Sequence, residues 1–318
     1  MTSPVPHWPG RMITLTGGEQ VWLAETPAAG RELVLCVHGM SGAATNWTDL
    51  MADLAPDFDC AAVDLPGSGF SPPPKTKTRY SVGAQARTVI RLIEALGPPG
   101  PVHLIGNSMG GAVSVRVAAR RPDLVKTLTL LSPALPDLKV RQTVAHFPLL
   151  ALPFLGEWLI RKWALRYPVE NRVAGVFATC CYDPSRIHPD RFALEVEALR
   201  RRDALSYEAA SLAGAARTLV VETLRPAPLS LWRAAARVTA PSLVLFGSDD
   251  RLVHPRLALR AARVFRDARV QVLPETGHLA QIEQPGLVAA LFREMVEESR
   301  GRGKGSGNSG RRDPVDAR

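Results

Sequence analysis

Four short apolar runs, each stopping at a loop signal, constrain this chain more than any other feature. Leu33 to His38 is almost continuously apolar and stops at Gly39; Cys60 to Asp64 ends in Leu-Pro-Gly; Val102 to Ile105 ends at Gly106; Leu128 to Leu131 ends at Ser132-Pro133. Runs of this length without polar alternation suit strands buried on both faces, which occur in parallel sheets covered by helices. Helical spacing of apolar residues fills the gaps, at Tyr80 to Leu96, which stops at Gly97-Pro98, and at Ala112 to Arg120. The alternation resumes after Pro241, with strands at Ser242 to Phe246 and Arg269 to Leu273 and helices at Pro255 to Phe265 and Gly286 to Glu298. The expected fold class is α/β, a mostly parallel central sheet with flanking helices.

The stretch from Asp137 to Val238 breaks this rhythm. It carries no strand pattern and reads as amphipathic helices such as Arg191 to Arg202 and Tyr207 to Leu224. The expected organisation is a core made of residues 1–136 and 239–299, a helical insertion at 137–238, and a flexible basic tail at 300–318, where GRGKGSGNSG is rich in Gly and Ser.

With 318 residues, 46% of them hydrophobic and 22% charged, the chain can bury a full core and stay in solution. Its four cysteines, at 36, 60, 180 and 181, suit neither a disulfide framework nor a paired CxxC zinc site, and a reducing, cytoplasmic setting is the natural reading. Cys180 and Cys181 are expected to act as small buried hydrophobes. The N-terminus lacks the basic start and apolar stretch of a secretory signal. The greasiest run, Val144 to Ile160, is broken by Pro148, Pro153, Gly156 and Glu157, so a transmembrane span is excluded. The net charge of +9 is concentrated in the insertion and the tail. No basic stripe interleaved with aromatics accompanies it, and nucleic acid is not an expected partner.

The chemistry centres on Gly106-Asn107-Ser108-Met109-Gly110, between a strand pattern and a helix pattern. A serine on such a turn is held in strained backbone, needs small neighbours, and sits beside the unpaired N–H groups that open the helix. A plain turn or a phosphate loop is the bland alternative, but no P-loop lysine follows. A hydroxyl needs a base. Of seven histidines, His278 in Thr276-Gly277-His278 follows the last strand, so its loop returns to the edge that carries Ser108; His254 is its main rival. The base needs a carboxylate to fix its tautomer. In GSDDRLVHP both Asp249 and Asp250 follow a strand end, and Asp250 is favoured; Asp64 opens Asp-Leu-Pro-Gly-Ser-Gly and reads as a turn former. His38-Gly39-Met40-Ser41-Gly42 follows the first buried strand, so the backbone N–H groups of Met40 and Met109 are the candidate oxyanion donors.

These pieces resemble the α/β-hydrolase fold family in its esterase-like branch with a helical cap. HGMSG at 38–42, DLPGSGFS at 64–71, GNSMGG at 106–111, GSDDRLVHP at 247–255 and TGHLAQIEQP at 276–285 occur in that family's order of nucleophile, acid and histidine. The resemblance implies Ser108 as nucleophile, Asp250 as acid, His278 as base, a cap at about 137–238 and no cofactor or metal. Ser108 stands where dehalogenases and epoxide hydrolases of this fold use aspartate. GNSMGG with GH-x-AQ-x-E also resembles the carbon–carbon bond hydrolases of meta-cleavage products, although Leu279 and Ile282 stand where that branch commonly has tryptophans. The expected activity is hydrolysis of a small or medium hydrophobic carboxylic ester through an acyl-serine. Carbon–carbon cleavage is the second reading, and a non-catalytic ligand receptor on the same fold is the third. Phe147, Leu149, Leu150, Leu152, Phe154, Leu155 and Trp158 are expected either to line an acyl pocket or to pack on the sheet, with weak membrane-surface contact through this stretch and Arg161 and Lys162 as a further possibility. The oligomeric state is not legible in the sequence.

Overall fold

The computed structural model describes residues 7–75, 80–139 and 141–305. Among these, one eight-stranded sheet forms from β1 (Gly10–Thr14), β2 (Gln20–Glu25), β3 (Leu33–Val37), β4 (Asp59–Val63), β5 (Val102–Asn107), β6 (Val125–Leu131), β7 (Ser242–Gly247) and β8 (Ala268–Leu273). The spatial order is β1-β2-β4-β3-β5-β6-β7-β8. From β4 to β8 every pairing is parallel, while β2 runs antiparallel to both β1 and β4. The six parallel strands coincide with the apolar runs and their stops. The antiparallel pair β1–β2 is an addition that the apolar pattern does not announce.

The helices are α1 (Thr48–Leu54), α2 (Val82–Leu96), α3 (Met109–Arg120), α4 (Phe147–Leu150), α5 (Leu155–Arg166), α6 (Val169–Cys180), α7 (Pro189–Asp203), α8 (Glu208–Leu224), α9 (Leu231–Ala235), α10 (Leu257–Val264), α11 (Ala280–Glu283) and α12 (Pro285–Gly305). Period-two alternation sorts each parallel strand onto two cores. In β3, Val34 and Cys36 meet α1 and α12 on one face, and Leu35 and Val37 meet α2 and α3 on the other; in β7, Leu243 and Leu245 oppose Val244 and Phe246 in the same way. Local signals set the ends: the Ser81 hydroxyl caps α2 by accepting from the Ala84 N–H, and Gly97 closes it in the left-handed region at φ 56°. The last helix runs to Gly305 rather than stopping at Glu298, since Arg300 and Arg302 reach Glu32 and Asp267 at 2.7 Å and anchor the extra turns. Residues 306–318 of the expected basic tail lie outside the described residues.

Between β6 and β7 the described chain is helical or irregular, without strands. Its α7 is pinned to the loop after β3 and to the start of α1. Buried Arg191 donates to the Thr45 carbonyl and Thr48 Oγ1 and pairs with Asp49, Glu195 Oε1 accepts from Asn46 Nδ2 at 3.0 Å, and Arg202 donates to the Ser41 carbonyl. A buried Arg116–Glu222 pair at 2.8 Å ties α8 to α3. Each of these buried cations is matched by an acceptor, the condition under which such groups hold an interface together.

Candidate active site

Ser108 sits where β5 turns into α3, with φ 53° and ψ −118°. A non-glycine residue there stores on the order of 1–3 kcal/mol of strain, and the surroundings enforce it. A Cβ at Gly110 would lie 2.1 Å from the Val37 carbonyl oxygen, and one at Gly106 would lie 2.6 Å from the Gly110 carbonyl oxygen. The strand and helix are therefore too close for side chains at these two positions. The Ser108 N–H donates to the Leu131 carbonyl at 3.0 Å, while its own carbonyl accepts from Ala112 at 3.1 Å and Ala134 at 2.9 Å.

Asp250 and His278 come together as the sequence order implies. His278 Nδ1 lies 2.8 Å from Asp250 Oδ2, both groups are buried, and Oδ1 accepts from the N–H groups of Leu252 at 2.8 Å and Val253 at 2.9 Å. Burial alone would raise the Asp250 carboxyl, but the neighbouring His278 charge and hydrogen bond, with the Val253 N–H, hold it below its ordinary value. It remains an anionic acceptor. The loops bearing the two residues are laced by backbone bonds from Ser248 N–H to Leu273 and from Asp249 N–H to Thr276, both 2.9 Å. Asp249 is exposed and takes the Ser248 hydroxyl at 2.5 Å. His254 also borders the cavity, but its Nδ1 accepts the Arg256 N–H at 3.2 Å, in the turn that leads into α10.

Met40 follows β3 and borders the same cavity as Ser108. Met109 is the first residue of α3, so its N–H is one of those with no carbonyl partner in its own helix. The loop carrying Met40 is held from below. His38 Nε2 accepts from the Leu65 N–H at 2.9 Å and Nδ1 lies 2.7 Å from the Gly39 carbonyl; burial pushes this imidazole down to about 4, so it is neutral. Asp64 is more than a turn former. Its carboxylate accepts from Ala44 at 2.6 Å and Phe70 at 2.8 Å, joining the two loops, and burial pushes it up to about 6 against those bonds and the pull of Arg201 and Arg202.

Ser108, His278 and Met40 border one cavity of about 880 Å³ under the inserted helices. Its apolar wall includes Val173 and Phe177 of α6, Leu199 of α7 and Leu219 of α8, and Lys139 and Arg141 add positive charge. The greasy run before Ile160 contributes little: of the seven residues singled out there, Phe147 lines the cavity and Leu150 packs on the inserted helices, while Leu149, Leu152, Phe154, Leu155 and Trp158 are exposed. All four cysteines are free and buried, and burial pushes the Cys180 thiol up to about 12. No cluster of metal-ligating side chains occurs among the described residues.

Three positioning contacts were not legible in the sequence. Asn107 Nδ2 donates to the His278 carbonyl at 3.0 Å, and Arg141 donates to the Asp250 carbonyl. Glu283 accepts from Gly277 N–H at 2.8 Å and from Tyr182 N–H at 2.6 Å, bridging the histidine loop to the end of α6. Asn107 and Glu283 lie inside the motifs that carry the resemblance, which is the signal that could have found them.

The sequence profile of the alpha/beta hydrolase fold matches residues 32–285. The chain belongs to that family and is a hydrolase of that type. It is 26% identical over 281 residues to Lipase 3 of Moraxella sp. (strain TA144), covering 86% of this chain and 80% of the relative. It is 28% identical over 295 residues to a 2-hydroxy-6-oxononadienedioate/2-hydroxy-6-oxononatrienedioate hydrolase of Cupriavidus pinatubonensis, covering 90% and 93%. A crystal structure of a putative lipase from Acinetobacter baumannii AYE superposes with a TM-score of 0.75 at 19% identity over 93% of each chain, a likeness of fold.

Proposed function

We propose that this protein is a serine hydrolase of carboxylic esters, with Ser108 as nucleophile, His278 as base, Asp250 as its orienting acid and the N–H groups of Met40 and Met109 as oxyanion donors. In this reading residues 137–238 cap a core of 1–136 and 239–299. The observation that carries it is the 2.8 Å Nδ1–Oδ2 contact between His278 and Asp250, in the cavity that Ser108 also borders. A carboxylate that accepts Nδ1–H leaves the lone pair on Nε2, the state a base requires. Nε2 takes the Ser108 proton as Oγ adds to the ester carbonyl, and the oxygen that gains charge meets the two N–H donors. His278 then returns the proton to the departing alcohol, leaving an acyl-serine that water clears by the same steps in reverse order. The apolar wall supports a hydrophobic acyl or alcohol group. Replacing Ser108 by Ala is expected to abolish turnover of short p-nitrophenyl esters and labelling by a fluorophosphonate probe. Activity within tenfold of the parent would overturn the assignment, and a folded parent inert to the probe would favour a non-catalytic receptor.

The second reading is carbon–carbon bond hydrolysis. The Cupriavidus relative is named for a dicarboxylate, and the charges of Lys139 and Arg141 at the cavity suit such an anion. Leu279 and Ile282 both border this cavity, at the positions where the resemblance would have led us to expect tryptophan. A ring-fission diketone consumed more than about tenfold faster than the best ester, roughly 1.4 kcal/mol in barrier, would favour this reading.

A further inference from the structure

Helix α5 hides its small side and shows its greasy one. Gly156 and Ile160 face inward, where Ile160 joins Ala209 and Ala213 of α8. At about 100° per residue, Leu155, Trp158 and Leu165 fall on the opposite side, flanked by Arg161, Lys162 and Arg166, and all six are exposed. Leu165 is 86% exposed and Trp158 54%, with Phe154, at the head of the helix, 79%. Phe154 has a positive φ of 63°, so the turn at the head of the helix is itself strained. Scattered exposed leucines need no explanation; one helix face that exposes Leu155, Trp158 and Leu165 with Arg161, Lys162 and Arg166 interleaved among them does.

The chemistry of the border selects the occupant. A second copy of the chain meeting this face symmetrically would bring the three cations against their own counterparts. A peptide that answers the cations through acidic side chains alone would leave the leucines and rings wet. A bilayer with anionic headgroups answers both, because the leucines and rings enter the acyl boundary while Lys162 and Arg166 reach phosphates. The local geometry fits lying on such a surface rather than crossing it: Gln142–Leu150 and Leu155–Arg166 together carry the apolar length of a span but are bent by 119°, and no single helix among the described residues is long and apolar enough to cross. The same helix also lends Trp163 to the cavity that Ser108 borders.

We propose that the outer face of α5 is a docking surface for membranes rich in anionic phospholipid, from which the enzyme takes lipid-borne esters. The docking stands on the surface alone; the delivery of esters rests on the serine-hydrolase reading. The test is co-sedimentation of the full chain, and of its Ser108→Ala variant, with phosphatidylcholine vesicles and with vesicles in which about a third of the lipid is phosphatidylglycerol. Both proteins are expected to bind the anionic vesicles. Trp158→Ser/Leu165→Ser and Lys162→Glu/Arg166→Glu variants are expected to lose binding by about tenfold or more while hydrolysing a dissolved ester at the parent rate, which shows that they fold. Equal partitioning to neutral vesicles, unchanged binding in both variants, or a parent dimer that the variants dissociate would overturn the docking. Vesicle binding by a protein that turns over no ester would overturn the hydrolase reading and leave the docking intact.

Discussion

Replacing Asp250 by Asn tests the site more sharply than deleting it, because the backbone dictates which way the new amide must face. Oδ1 of Asp250 accepts two N–H groups, from Leu252 and Val253, at 2.8 and 2.9 Å. Only an oxygen can occupy that place, so the amide nitrogen is forced into the position of Oδ2, opposite His278 Nδ1. Two donors cannot face each other, and the imidazole must then carry its proton on Nε2 and offer Ser108 a donor in place of a lone pair. Shape and volume are conserved while the base is lost. The expected fall in kcat is on the order of 10⁴, about 5 kcal/mol of barrier, with KM nearly unchanged and Tm within a few degrees. Single-turnover acylation by a p-nitrophenyl ester reads it directly. An Asp250→Asn enzyme within tenfold of the parent would refute the tautomer argument, as would an equal loss on changing exposed Asp249 to Asn.

Two buried groups set opposing acid responses. His38 is depressed from 6.5 to about 4, so its contribution to stability is present above 6.5 and lost as pH falls toward 4; Asp64 is raised from 3.8 to about 6, so its contribution is present below 3.8 and lost as pH rises through 6. Each amounts to about 3 kcal/mol and they offset between pH 4 and 6; Asp64→Asn should therefore steepen the fall of Tm on acidification and His38→Gln should flatten it, whereas parallel slopes in thermal melts would contradict both. Gly110→Ala must push the Val37 carbonyl away from a 2.1 Å approach, and a loss of about 3 kcal/mol or more in urea unfolding is expected; a loss under about 1 kcal/mol would mean the turn is not rigid. Glu283→Gln offers one acceptor where Gly277 and Tyr182 need two, at a cost of about 1–3 kcal/mol. Since that carboxylate steadies the histidine loop, kcat should fall with little change in KM for soluble esters, and unchanged kcat would reduce Glu283 to a surface tie.

The inner parallel strands β3 to β7 were legible because each is buried on both faces and is therefore mostly apolar, whereas β8, at the sheet edge, buries Leu273 alone. Strand β1 escaped notice for the converse reason, as it buries Ile13 alone at a sheet edge. The Ser108 turn was readable because Gly106 and Gly110 are the only residues the close approach admits. The pairing of Asp250 with His278 followed from both loops leaving the same edge of a parallel sheet. What stayed hidden depends on partners distant in sequence: Arg202 on Ser41 and Asn107 on His278 cannot be read from local pattern. The greasy stretch before Ile160 left its destination open because hydrophobicity reports a wish to leave water, not where the chain goes to satisfy it.

The peptide at Gly277 is wedged between layers. A Cβ there would meet the Cys180 carbonyl at 2.2 Å, its own carbonyl fills the space a side chain at Gly247 would need, and the His278 N–H donates to Cys180 at 2.5 Å. The inserted helices are thus welded to the histidine at one corner, so a wholesale lift of the insertion would carry the imidazole away with it. Phe147 of α4 and Trp163 of α5 border the cavity at a margin without that weld. An engineer seeking new specificity should diversify that margin, sparing the outer face of α5, and leave 180–182 untouched, where broadening access and keeping His278 in register are incompatible aims.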